Sequence, residues 1–121
     1  MIRALIVITF GLLTATSSAW AYRVIEQPEA AHELALGQVR LPAGQSGTVV
    51  FTACESCRTT AMRVTDQTIY FANGTQMELA DLRDIAEDLL ATTVGRDDTI
   101  VYIYYDVASL RVNRIAISYR S

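Results

Sequence analysis

The sequence predicts an α+β fold, a small β-rich domain of about five or six strands with one amphipathic helix between the third strand and the penultimate one. Three observations carry this expectation. Alternating runs of β-branched and aromatic residues fill most of the chain from Thr48 onward. The dipeptide Asn73-Gly74, a strong short-range signal for a tight hairpin, punctuates them. The stretch "LADLRDIAEDLL" sets Leu79, Leu82, Ile85, Ala86, Leu89 and Leu90 at three- and four-residue steps, so they form one apolar stripe of a helix.

In chain order, "MIRALIVITFGLLTATSSAWA" reads as a secretory signal peptide over residues 1–21. Arg3 supplies the basic start, Ala4 to Leu13 the apolar run, and Ala19-Trp20-Ala21 the small-residue cleavage pattern. The run gives way early to Thr14, Thr16, Ser17 and Ser18, short of the roughly 20 apolar residues that a membrane-spanning helix needs. The expected product starts at Tyr22, is periplasmic or secreted, and keeps no stable membrane span. Residues 22–47 then read as an arm or edge strand with a linker. Pro28 could open a short helix carrying Ala31, Leu34 and Ala35; Gly37 to Leu41 suits an edge strand, and Pro42 to Gly47 is turn chemistry.

The compact β-rich part spans residues 48–121. Thr48 to Ala53 and Thr59 to Thr65 form strands on either side of "CESC". Thr68 to Ala72 is a third strand, which the Asn73-Gly74 turn pairs with Thr75 to Leu79. Thr75 and Glu78 could instead form a capping box that starts the helix earlier. Gly95 and Asp97-Asp98 close the helix. "TIVYIYYD" and "RVNRIAISY" are the last two strands, joined by a turn around Ala108 and Ser109. In element order alone, the string resembles the five-stranded oligonucleotide- and oligosaccharide-binding fold. It fits a partly closed barrel or a curled antiparallel sheet equally well.

Charge narrows the function classes. The chain carries a formal net charge of −3, one unit more negative without Arg3, and all its basic residues are arginines. That balance lacks the electrostatic footprint of a nucleic-acid binder. No cofactor is indicated. A Ser-His-acid hydrolase would have to recruit His32, the one imidazole in the chain, while Ser56 and Ser109 sit in turn-like sequence. Asp81, Asp84, Glu87 and Asp88 share the helix and lack a calcium-loop pattern, so they read as a solvated face.

Cys54 and Cys57 carry the sharpest question. Their spacing serves redox catalysts, half-sites for zinc and plain structural bridges. A thioredoxin-type catalyst sets the pair at a helix N-terminus, where the macrodipole favours the thiolate; here a strand-like alternation follows Cys57. Glu55 adds like charge beside the sulfurs, and both prolines of the chain, Pro28 and Pro42, precede the motif rather than facing it from a later loop. Zinc needs four ligands, or three and a water, which one histidine and two cysteines do not complete. The expectation is therefore a disulfide staple, oxidised and buried, in the turn between two strands. The alternative is a thiol–disulfide redox protein or redox sensor using the same pair.

One more pattern bears on function. Tyr102 and Tyr104 point to one side of their strand while Val101, Ile103 and Tyr105 point to the other. With Arg63, Arg111 and Arg114 nearby, the two tyrosines make a candidate binding surface for an envelope protein or a glycan, since tyrosine joins a flat apolar body to a polar tip. The competing outcome is that the helix covers those rings as core. The sequence thus points to an exported non-enzymatic module of unassigned ligand and oligomeric state.

Overall fold

A computed structural model describes residues 29–120. The signal-peptide expectation falls outside them. The described chain is an α+β domain of eight strands in two open sheets. The strands are β1 (Glu29–Ala35), β2 (Val39–Arg40), β3 (Thr48–Thr52), β4 (Thr59–Arg63), β5 (Ile69–Ala72), β6 (Thr75–Met77), β7 (Ile100–Asp106) and β8 (Val112–Ser118). A 3-10 turn, Leu36–Gln38, links β1 to β2, and two helices, α1 (Leu79–Leu90) and α2 (Thr93–Asp98), lie between β6 and β7. The five or six strands and single helix expected are thus corrected to eight and two: Gly95 and Asp97-Asp98 do not end the helix but lie in a second one, which the Thr92 side chain caps.

The large sheet has the order β1-β7-β8-β5-β6 and the small one β2-β3-β4. All neighbouring pairs are antiparallel except β5 and β8, which run parallel. A parallel neighbour requires a crossover, and the β6–α1–α2–β7 segment makes the connection that the β5–β8 pairing needs. The expected barrel is therefore absent. Splitting the strands into two sheets leaves both open, and the large sheet is mixed rather than purely antiparallel.

The hairpin at Asn73-Gly74 forms as expected. Both residues have positive φ, 49° and 84°, and the register pairs Ala72 with Thr75 across them. The helix begins at Leu79, after the hairpin, so Thr75 and Glu78 do not form the capping box. Pro28 lies outside the described residues, but the short helix expected after it is a strand. "EAAHELA" is made mostly of helix formers, yet all its residues pair with β7, Glu29 with Asp106 through Ala35 with Ile100. Leu34 is thereby buried and the His32 ring lies 5.1 Å from that of Tyr105 and 4.8 Å from that of Phe51. Tertiary pairing overrides local propensity here. The 22–47 stretch, within its described part, contributes Leu34, Leu36 and Val39 to the core.

A single core joins the layers. The inner face of the large sheet supplies Tyr70, Ala72, Val101, Ile103, Val112, Ile115 and Ile117. The small sheet adds Val49, Phe51 and Met62, and α1 adds Leu79, Leu82 and Ala86 along its apolar stripe. The small sheet and α1 thus share one face of the large sheet as cover. Asp81, Asp84, Glu87 and Asp88 are exposed on the opposite side of α1.

One polar atom is stranded in this core: the Tyr70 hydroxyl is buried with no hydrogen-bond partner among the described residues. Burial pushes its pKa above the ordinary value of 10.0. The folded chain therefore holds the phenol proton more tightly than the unfolded one. Stability is fully present below pH 10 and is lost as pH rises through the folded value. Tyr70→Phe is expected to raise stability by about 1 kcal/mol, since it removes an unsatisfied buried donor. It should also flatten the decline above pH 10; urea melts of both proteins at neutral and alkaline pH check both outcomes.

Candidate functional site

The large sheet has a second face, and the alternation of β7 decides what stands on it. Val101 and Ile103 point into the core, so Tyr102 and Tyr104 stand on the far side. Registers across the sheet extend two rows. One runs Ala31, Tyr104, Arg114, Ile69; the next runs Glu33, Tyr102, Ala116, Phe71, Gln76. Tyr102, Tyr104 and Phe71 are half-buried, while Ile69 keeps 39% of its surface exposed. Since α1 and the small sheet cover the other face, no described element lies over these rings. The helix does not bury them.

Contacts order the face. The Tyr102 and Tyr104 rings lie 6.4 Å apart and nearly parallel. The Arg114 guanidinium sits 4.1 Å from the centre of the Tyr104 ring, a cation–π contact from the neighbouring strand. Arg114 also reaches Glu29 at 3.6 Å, and the Asn113 amide donates to the same carboxylate at 2.9 Å. The guanidinium is thus held over the ring from the β1 side. Arg63 and Arg111 meet each other across an isolated parallel bridge, but neither stacks on an aromatic ring among the described residues. Of the arginines that sequence reading groups with the tyrosines, the fold brings Arg114 to them.

Ile69, Phe71, Ala116, Ala31 and Glu33 complete the face and escape sequence reading. Phe71 carried a usable signal, because it alternates with Tyr70 and Ala72. The neighbourhood of Phe71 and Tyr102 carried none, since it depends on the parallel pairing of β5 with β8.

Cys54 and Cys57 form a disulfide across the turn joining β3 to β4, with Cα atoms 5.0 Å apart. The Cys57 N–H donates to the Cys54 carbonyl at 3.1 Å. The turn is braced from outside. Gln38 Nε2 donates to the Thr52 and Ala53 carbonyls at 3.2 Å each, while Gln38 Oε1 accepts from the Ala35 N–H at 2.8 Å. Both cysteines and Glu55 are exposed, beside an open cleft of about 580 Å³ lined by Arg40, Phe51, Thr52, Cys54 and Glu55 among others. The expectation of a buried bond is therefore corrected. A hairpin tip projects past the sheet it closes, and among the described residues no element buries the sulfurs of this one. The pair is not at a helix N-terminus, so no macrodipole acts on it.

No family model, curated protein or solved structure matches the chain significantly.

The exposed face offers ring faces, phenolic hydroxyls, one guanidinium and the carboxylates of Glu29 and Glu33. No described helix is long and apolar enough to cross a membrane.

Proposed function

We propose that this protein is an exported, non-enzymatic binding module that holds a partner protein against the outer face of its large sheet. The uncovered face bearing Tyr102, Tyr104 and Phe71 with Arg114 carries this reading. Aromatic residues and arginine are the side chains that most often anchor interfaces, and a broad sheet face suits a macromolecule better than the concave pockets small ligands prefer. Residues 1–21 support export, to the periplasm or the medium. The Cys54–Cys57 bond is consistent with an oxidising compartment.

Arrays of peptides and of glycans, probed with the purified chain and with Tyr102→Ala/Tyr104→Ala, test the reading. Peptide signals that weaken at least about tenfold in the variant support it, a tenfold loss being about 1.4 kcal/mol. Both substitutions sit on an exposed face, so the fold should survive, as circular dichroism would show. Binding that ignores the tyrosines, or signals confined to glycans, would overturn it.

A second reading rests on one observation, the exposure of both cysteines. An accessible disulfide can exchange with an external dithiol, as a redox protein or sensor requires. The reduction potential separates the two. A value below about −300 mV marks a structural bond, whereas a more oxidising value together with turnover of insulin disulfides marks an exchange-active one.

A further inference from the structure

We propose that the outer edge of β1 accepts an extended basic segment of a partner protein, added as one more strand to the large sheet. The inference deepens the binding-module reading and rests on it only in placing the partner beside the tyrosine face.

The backbone supplies the first reason. The Leu36 N–H donates to the Thr99 carbonyl at 2.9 Å, one step beyond the β1–β7 pairing. Bonding residues alternate along an antiparallel pair, so Leu34, His32 and Ala30 turn their N–H and C=O groups toward β7. Glu29, Ala31, Glu33 and Ala35 turn theirs outward. Gln38 takes the Ala35 N–H. Ala31 and Glu33 are left with outward donors and acceptors that no described residue meets, which is the template an added strand uses.

Charge then selects the occupant. The side chains of Glu33 and of Glu29, the latter shared with Arg114 at 3.6 Å yet still exposed, lie on the open face of this edge, on a chain of net charge −3. A second copy would bring the same two carboxylates into the same short span, and like charges across a strand pair are destabilising. A basic strand would meet them with opposite charge. Between the two glutamates stands Ala31, in the same row as Tyr104, so an incoming residue would meet the Tyr104 ring and the Arg114 guanidinium stacked on it across a small side chain. The fitting segment alternates: basic, any, aromatic, any, basic.

An end-blocked peptide matched in length to the seven residues of β1 tests this. It carries arginine at its second and sixth positions, tyrosine at its fourth and threonine elsewhere, so it reads alike in either direction. Its control has glutamate in place of arginine. The chain is expected to bind the arginine peptide at least about tenfold more tightly than the control. Ala31→Pro should abolish that preference while leaving circular dichroism unchanged, because the N–H at this position faces solvent and proline there removes no ladder bond. Glu33→Arg should weaken the arginine peptide and favour the glutamate one. Undiminished binding by Ala31→Pro overturns the proposal, as does failure of the arginine peptide to bind. Sedimentation showing a dimer that Ala31→Pro dissolves also overturns it, in favour of a second copy. If Ala31→Pro is silent on the peptide array while the tyrosine variant loses its signals, the edge proposal falls and the face reading stands.

Discussion

Gly95→Ala is expected to lower the unfolding free energy by about 3 kcal/mol, near the upper end of the usual overpacking cost. Gly95 is buried in α2 where that helix turns back on the end of α1. A Cβ built there collides with the Leu89 carbonyl oxygen, lies 2.8 Å from its carbon and 2.9 Å from Thr92 Oγ1. These atoms cannot yield cheaply. The Leu89 carbonyl accepts the Thr92 N–H at 3.3 Å and its hydroxyl at 3.4 Å, and Thr92 Oγ1 caps α2 by accepting the Gly95 N–H at 2.9 Å. Alanine is worth up to about 1 kcal/mol over glycine in a helix, but the backbone collision outweighs it. Gly44→Ala is the control, since nothing lies within 4 Å of its Cβ position. Urea melts should show a large loss for the first variant and a change within about 1 kcal/mol for the second. Equal stability of Gly95→Ala and the unmodified chain would mean that α1 and α2 do not meet in this corner.

Replacing both Cys54 and Cys57 by serine is expected to cost about 2 kcal/mol and to leave the fold in place. The ring closed by this disulfide is short, so it removes little entropy from the unfolded chain. That is still a sizeable part of the roughly 5–10 kcal/mol available to a domain of this size. The hairpin keeps other supports: Gln38 grips the Thr52 and Ala53 carbonyls, and the Thr52 and Thr59 hydroxyls meet at 3.2 Å. Equilibrium unfolding gives the magnitude, and amide spectra give the extent of the change. Shifts should stay within the β3–β4 turn and the neighbouring cleft. Shifts reaching Tyr102 or Arg114 would show that the sulfurs govern the binding face and would tell against a purely structural role.

Local patterns were legible because they depend on local chemistry. Asn73-Gly74 makes its turn because both residues tolerate positive φ, and Leu79 to Leu90 makes its helix because its apolar residues repeat at the helical period. The last two strands, and the separation of Tyr102 and Tyr104 from Val101 and Ile103, follow from alternation alone. By contrast, "EAAHELA" misleads. Its residues favour a helix, and only the edge that β7 presents makes it a strand. Cys54 and Cys57 were visible as a pair at a turn, but their exposure depends on what packs over the hairpin, which no local pattern encodes.

The sequence by itself determined the Asn73-Gly74 turn, the Leu79–Leu90 helix, which side of β7 carries tyrosine and where the two sulfurs meet, all from periodicities of two and 3.6 residues and from turn chemistry. Only the tertiary structure decided that the strands divide between two sheets, that β5 runs parallel to β8 and sets Phe71 two strands from Tyr102, and that α1 packs on the opposite face. These are choices between partners distant in the chain. They are made by which apolar surfaces fit together once the core of Val49, Leu82, Ile103 and Ile115 closes, and that fit has no signature within any one segment.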